Sequence, residues 1–136
     1  MAVNVVQWTH ILTLLSVVIV ADNRVYKEEV DAFVERSLTL KEVITPKMLF
    51  SKKMAFDWFV LHREGIKDWL DAPDSETTIL RHILALAKSE FRQDILDALY
   101  AVAIVDGDYH EAESNVIALA CEHWHLPMPE AEIGKV

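Results

Sequence analysis

Two stretches of the sequence place acidic residues at the same spacing. An apolar run ends at Asp22 in the first stretch and at Asp106 in the second, and a glutamate follows seven residues later, at Glu29 and at Glu113. If each stretch folds as two helices joined by a turn, the turn brings each aspartate towards its glutamate. Two such hairpins present four carboxylates, a group suited to cation binding or to acid–base work by paired carboxylates.

The residue after each aspartate indicates that the two stretches share a backbone conformation. Asn23 follows the first aspartate and Gly107 follows the second, and both residue types readily adopt the left-handed conformation that closes a helix. Each aspartate then lies at a helix C-terminus, where the helix dipole disfavours negative charge by about 0.3–1 kcal/mol. Helix formation alone therefore does not account for Asp22 and Asp106.

Asp108 and Arg24, which lie near these acids, allow an interpretation without a metal ion. Asp108 and Glu111 have the spacing of a capping box, so we expect Asp108 to cap the last long helix, with a metal contact as the alternative. The first stretch has Arg24 at the position of Asp108. An arginine there can pair with a carboxylate and take the place of a metal ion.

The second stretch is not an EF-hand. That calcium-binding loop requires Gly at its sixth position and Glu at its twelfth. Counted from Asp106, Glu111 and Ile117 occupy these two positions. The sequence therefore excludes this type of calcium site.

The sequence offers no other set of residues with the spacing of a metal or catalytic site. His123 and His125 are two residues apart and so lie on different sides of a helix; we expect them at the surface or at a helix end. His110 is close to the carboxylates, and Cys121 falls on an apolar helix face, where a free cysteine is usually buried and inert. No Gly-rich phosphate loop or Ser/His/Asp set is present, so we expect that the protein is not an enzyme.

Composition bounds the class of protein. A chain of 136 residues fits a single domain over 1–136, with a core at about 3–126 and a tail at 127–136. The net charge of −9 disfavours nucleic-acid binding, which requires a cationic face. The apolar run at 11–21 is about half the ~20 residues that a membrane span requires. A signal peptide has Lys or Arg before its apolar run, and none precedes this one. The single cysteine fits a reducing compartment. We therefore expect a cytoplasmic protein.

Apolar residues recur at helical spacing, and no useful length of chain alternates with period two. The sequence therefore predicts an all-α compact bundle of about seven helices, with Thr45-Pro46 as a helix start and Gly65 as a break. The hairpins Leu12 to Phe33 and Leu96 to Leu119 are expected to be helix–turn–helix halves related by an approximate two-fold axis. The predicted helix ranges are 3–21, 27–38, 46–64, 66–70, 75–89, 91–105 and 109–124.

The motifs Ala21-Asp22-Asn23 and Val105-Asp106-Gly107-Asp108, each followed by a Glu on the next helix, resemble those of a known family. This is the TerB-like family, the tellurite-resistance and co-chaperone-associated helical domains of bacteria, and the resemblance covers roughly residues 12–126. It implies a bundle in two related halves with a divalent-cation site of the Ca²⁺ or Mg²⁺ type. The site residues that it implies are Asp22, Glu29, Asp106 and Glu113.

The resemblance also implies a cellular context. Members of the family are associated with stress responses and often with membrane-linked complexes, so protein partners are expected. In the first hypothesis, the chain is a metal-binding regulatory or scaffold module in which a hard cation ties the two halves together. In the second, it is a metal-free interaction domain or homodimer in which Arg24 neutralises the acids. This hypothesis arises because the chain departs from the family's usual Ala-Asp-Gly at Asn23 and at Arg24. A hydrolase is not supported, because no pocket chemistry accompanies the carboxylates.

Overall fold

The structure is a computed structural model that describes residues 5–21, 27–105 and 111–129. Within these ranges the chain forms six α-helices and no strand. The prediction of an all-α protein is confirmed, and the described residues contain one helix fewer than the sequence predicted. The helices are α1 (Val5–Val20), α2 (Lys27–Ile44), α3 (Lys52–Leu70), α4 (Ser75–Ala85), α5 (Arg92–Ile104) and α6 (Glu111–Trp124).

Helix α1 lies at the centre of the bundle. Every residue from Ile11 to Val20 is buried, and α1 contacts each of the other five helices. A helix that is apolar on all sides requires such an enclosed position. The hydroxyls of Thr13 and Ser16 donate to backbone carbonyls one turn earlier, at 2.8 Å and 2.9 Å, which offsets their burial. In the part of the chain that the structure describes, no helix is long and apolar enough to cross a membrane.

The boundary between α2 and α3 differs from the sequence prediction. Helix α2 continues beyond residue 38 because Leu40 and Ile44 extend its buried stripe. Helix α3 begins after Ser51, whose hydroxyl accepts a hydrogen bond from the Met54 backbone N–H at 3.2 Å. The helix start predicted at Thr45-Pro46 is therefore wrong.

Helix α3 passes through Gly65 without a break and ends at Leu70. The short helix predicted at 66–70 is the last part of α3. A glycine lowers helix propensity by only about 1 kcal/mol, and burial of Phe59 and Ile66 on either side of Gly65 holds the helix together across it. This single correction explains the difference in helix number.

Helix α6 is attached to α4 by a buried tryptophan. Trp124 is fully buried, and its Nε1–H donates to the Ile83 carbonyl at 2.8 Å. The next residue, His125, has a φ of 58°, and the Leu126 N–H donates to the Cys121 carbonyl at 3.0 Å. A left-handed residue followed by such a bond is a common helix ending.

The proposed symmetry between the two hairpins stays a prediction. Helix α1 contacts α2, and α5 contacts α6, so both predicted helix pairs are packed together. The turns that join them, at 22–26 and 106–110, lie outside the described residues.

Candidate metal centre

Glu29 and Glu113 occupy matching positions in the fold. Each lies in the first turn of its helix, α2 or α6, and each is 0% exposed. Glu28 and Glu111 lie in the same first turns and are exposed. The positive end of the helix dipole stabilises all four carboxylates, but only Glu29 and Glu113 are buried.

The burial of these two carboxylates carries a cost that the protein must offset. A charged group loses hydration worth several kcal/mol in the interior, so it is retained where hydrogen bonds, an opposite charge, a proton or a cation compensates. Both Glu29 and Glu113 take part in a polar or electrostatic interaction within the protein. The ionised carboxylate is the form that ligates a hard cation.

The ends of the two apolar helices lie beside the beginnings of the two helices that carry these glutamates. Ala21, which follows α1, lines a groove together with Ala112 of α6. Val105, which follows α5, lines a second groove together with Glu28 of α2. The end of each apolar helix is therefore near the first turn of the other hairpin's second helix.

The remaining residues of the expected site lie outside the described part of the chain, so their roles as ligand, cap or counter-charge stay predictions. These residues are Asp22, Arg24, Asp106, Asp108 and His110. Among the described residues, no Cα atom of α2 comes within 8 Å of one in α6. The same residues contain no group of three or more His, Cys, Asp and Glu that could hold a metal ion. The backbones of the two helices that carry Glu29 and Glu113 thus do not approach each other closely.

A pair of histidines that the sequence analysis did not single out joins α1 to α4. Nδ1 of His10 lies 2.8 Å from Nδ1 of His82, and the ring centroids are 5.0 Å apart. The Trp69 indole stacks on the His82 ring. The two ring centroids are 5.9 Å apart, and the angle between the ring planes is 26°. The two histidines are 72 residues apart in the sequence, so no spacing rule connects them.

Burial favours the neutral form of these two imidazoles. Loss of hydration lowers the pKa of His10. It is also the largest cause that lowers the pKa of His82, with the positive charges of His10 and Arg81 adding to it. In the neutral pair, one Nδ1 carries the proton and donates it to the lone pair of the other.

Cys121 and His125 agree with their sequence predictions. Cys121 is buried, burial raises the pKa of its thiol, and its Sγ lies 3.6 Å from the Pro127 carbonyl. His125 is exposed and occupies the residue that closes α6, and His123 is half-buried on α6.

A family model matches nearly the whole sequence. It is described as tellurite resistance protein TerB, and it matches residues 9–133, from within α1 to beyond the end of α6. No curated protein and no solved structure matches significantly. The matched range includes both acidic stretches.

Proposed function

Because this chain belongs to the TerB family of tellurite resistance proteins, we propose that it is a non-catalytic module that binds a hard divalent cation. In this proposal the protein acts as an interaction scaffold in a stress response. The observation that carries the cation site is the complete burial of Glu29 and Glu113 at matching positions of α2 and α6. The proposed ligands are Asp22, Glu29, Asp106 and Glu113.

The donor set suits Ca²⁺ or Mg²⁺. Both ions prefer oxygen ligands, and carboxylates are the strongest of these. The ends of α1 and α5, which precede Asp22 and Asp106, lie at grooves beside α6 and α2. A cation there offsets the repulsion between neighbouring carboxylates and ties the end of one hairpin to the beginning of the other.

Thermal unfolding tests this proposal. The metal-free protein is melted with chelator and then with excess Ca²⁺, Mg²⁺ or Mn²⁺. Only the folded chain holds the ligands together, so a bound ion stabilises it by about 2.7 kcal/mol when present at one hundred times its Kd. The Asp106→Asn variant should show a smaller rise of the midpoint. If none of the ions raises the wild-type midpoint, the cation proposal is wrong.

Matched variants separate specific ligation from a general effect of charge. Glu113→Gln and Glu29→Gln remove a buried carboxylate with little change of shape, and we expect each to reduce the ion-dependent rise of the midpoint. Glu111→Gln and Glu28→Gln remove an exposed carboxylate from the same helix turns and should preserve that rise. A full response in both buried variants contradicts the proposed ligands.

A metal-free homodimer is the second candidate function, and the outer face of α3 favours it. Four large apolar side chains are exposed along this helix, and such groups mark interaction surfaces when they lie together. In this alternative Arg24 supplies the charge that neutralises the acids, and Arg24→Ala should destabilise the protein. The four residues are Met54, Phe56, Val60 and Leu61, at 46%, 49%, 48% and 77% exposure.

Two oppositely charged residues of α3 are spaced so that they can pair with those of a second copy. The helix begins with two lysines, and its second half carries Glu64 and Asp68 together with Arg63 and Lys67. In an antiparallel pair of α3 helices related by a two-fold axis, Lys53 lies opposite Glu64 of the second copy when Phe56 lies opposite Leu61. Ion pairs then flank apolar contacts, so the partner that we propose for this face is a second copy of the chain.

Sedimentation at several protein concentrations tests the dimer. Leu61→Glu should give a monomer, whereas Leu84→Glu, at an exposed leucine of α4, should leave the dimer intact. Lys53→Glu should weaken the dimer, and its combination with Glu64→Lys should restore it. A wild type that remains monomeric at all concentrations, or a Leu61→Glu dimer, excludes this arrangement.

A further inference from the structure

The His10–His82 pair is a chelating arrangement that the proposed function does not use. Its two Nδ1 atoms converge from different helices to 2.8 Å. We propose that these two atoms bind a borderline divalent transition metal such as Zn²⁺, which joins α1 to α4. This site is separate from the carboxylates, and it does not rest on the proposed cation function.

The distance between the two nitrogens is close to that of a zinc site. Two Zn–N bonds of 2.0–2.1 Å at a tetrahedral angle place the nitrogens about 3.3 Å apart. The observed separation of 2.8 Å must widen by about 0.5 Å, and the terminal torsion of histidine is soft enough to allow it.

The two rings are held in place by the core. Ile11 and Ile83, adjacent to the two histidines in sequence, are both 0% exposed. The Ile83 carbonyl also accepts the hydrogen bond from Trp124, and Trp69 stacks on the His82 ring. A ligand pair that is positioned before the metal arrives loses little conformational entropy when it binds.

Both imidazoles have the charge state that a metal ligand needs. Burial lowers the pKa of each, so the neutral rings predominate near neutral pH. Metal binding at both Nδ1 atoms places both remaining protons on Nε2, so the donating ring changes tautomer and no net proton is released. Arg81 is exposed, so solvent screens its positive charge from the bound ion.

The ligand atoms and their access to solvent determine which metals the site binds. Imidazole nitrogen suits Zn²⁺, Cu²⁺ and Ni²⁺, whereas Ca²⁺ and Mg²⁺ take oxygen. Both rings are half-buried, so water can reach the metal. Within the described ranges, no third His, Cys, Asp or Glu completes a cluster, and water therefore fills the other coordination positions.

Calorimetric titration with Zn²⁺ tests the site, with Mg²⁺ in excess to occupy carboxylates. We expect His10→Gln and His82→Gln each to weaken Zn²⁺ binding by at least about tenfold. His62→Gln is the matched control, because His62 is a half-buried histidine of α3 with its own backbone contact, Nδ1 at 2.8 Å from the Trp58 carbonyl. This variant should bind Zn²⁺ as the wild type does.

Imidazole ¹⁵N NMR of the wild type provides a measurement that needs no variant. Zn²⁺ should shift the Nδ1 resonances of His10 and His82 together, at one equivalent. No saturable Zn²⁺ binding, unchanged affinity in both histidine variants, or shifts confined to other histidines would each overturn the proposal. If a variant fails to fold, the NMR result on the wild type decides.

Discussion

Glu28 and Glu29 are neighbours in the sequence and lie in opposite surroundings. Glu29 is the first member of the buried stripe of α2, four residues before Phe33, so helical periodicity turns it into the core. Glu28 falls on the exposed side of the same turn. The sequence shows that Glu29 falls in line with the apolar residues of α2 and that it matches Glu113 of the second stretch. Its complete burial became visible only with the fold.

The contact between His10 and His82, unlike the position of Glu29, could not be predicted from the sequence. His10 and His82 are 72 residues apart, and each is flanked by an ordinary helical pattern. Their contact arises because α4 packs on α1. A tertiary contact of this kind has no counterpart in local spacing, so the sequence could not have indicated it.

We predict that Cys121 reacts slowly with thiol reagents in the native protein. Burial raises the pKa of the thiol, so less of the reactive thiolate is present at pH 8 than for a free cysteine, and the side chain is covered. Iodoacetamide labelling followed by mass spectrometry should show slow modification of the folded chain and fast modification in urea. Equal rates in the two conditions would contradict the buried placement.

At the scale of helices, the sequence located all six elements but misplaced the boundary between α2 and α3, divided α3 at Gly65 and extended α4 to residue 89. The Thr45-Pro46 signal resembles a helix start, yet α2 ends at Ile44 and the Thr45 N–H donates to the Lys41 carbonyl. Tertiary burial of Leu40 and Ile44 carried α2 further than its local pattern indicated. Capping signals are local, whereas the packing that decides between competing signals is not.

Removal of the Ser51 hydroxyl tests the observed start of α3. We expect Ser51→Ala to lower the free energy of unfolding by about 0.5–2 kcal/mol, the usual effect of losing an N-cap. Thr45→Ala is the control and should have a smaller effect. Urea unfolding of the two variants measures the difference, and a larger loss for Thr45→Ala would favour the helix start that the sequence predicted.

Gly65→Ala tests whether α3 is continuous. The residue is exposed, and an added Cβ meets no atom within 4 Å. In a continuous helix, alanine is more stable than glycine by roughly 0.5–1 kcal/mol, because glycine has more freedom to lose. An increase of that size in urea unfolding is expected. A destabilised variant would indicate a break at this position.

At the scale of the whole molecule, the central helix explains why the two acidic stretches belong to one architecture. Helix α1 ends at the first stretch, contacts α5, which ends at the second, and also contacts α6. Both stretches therefore lie at the ends of helices that pack directly on each other. The sequence predicted the all-α fold and the TerB family, and it singled out Glu29 and Glu113, whose burial only the fold shows. The aspartates lie outside the described residues, so their geometry stays a prediction.

Calorimetric titration of the metal-free protein with Ca²⁺ tests the central claim most directly. The account predicts a saturable binding heat in the wild type that is retained in Glu28→Gln and Glu111→Gln and lost or strongly reduced in Glu29→Gln and Glu113→Gln. The absence of saturable binding in the wild type, with Mg²⁺ and Mn²⁺ giving the same result, would contradict it. So would binding that is unchanged in both variants of the buried glutamates.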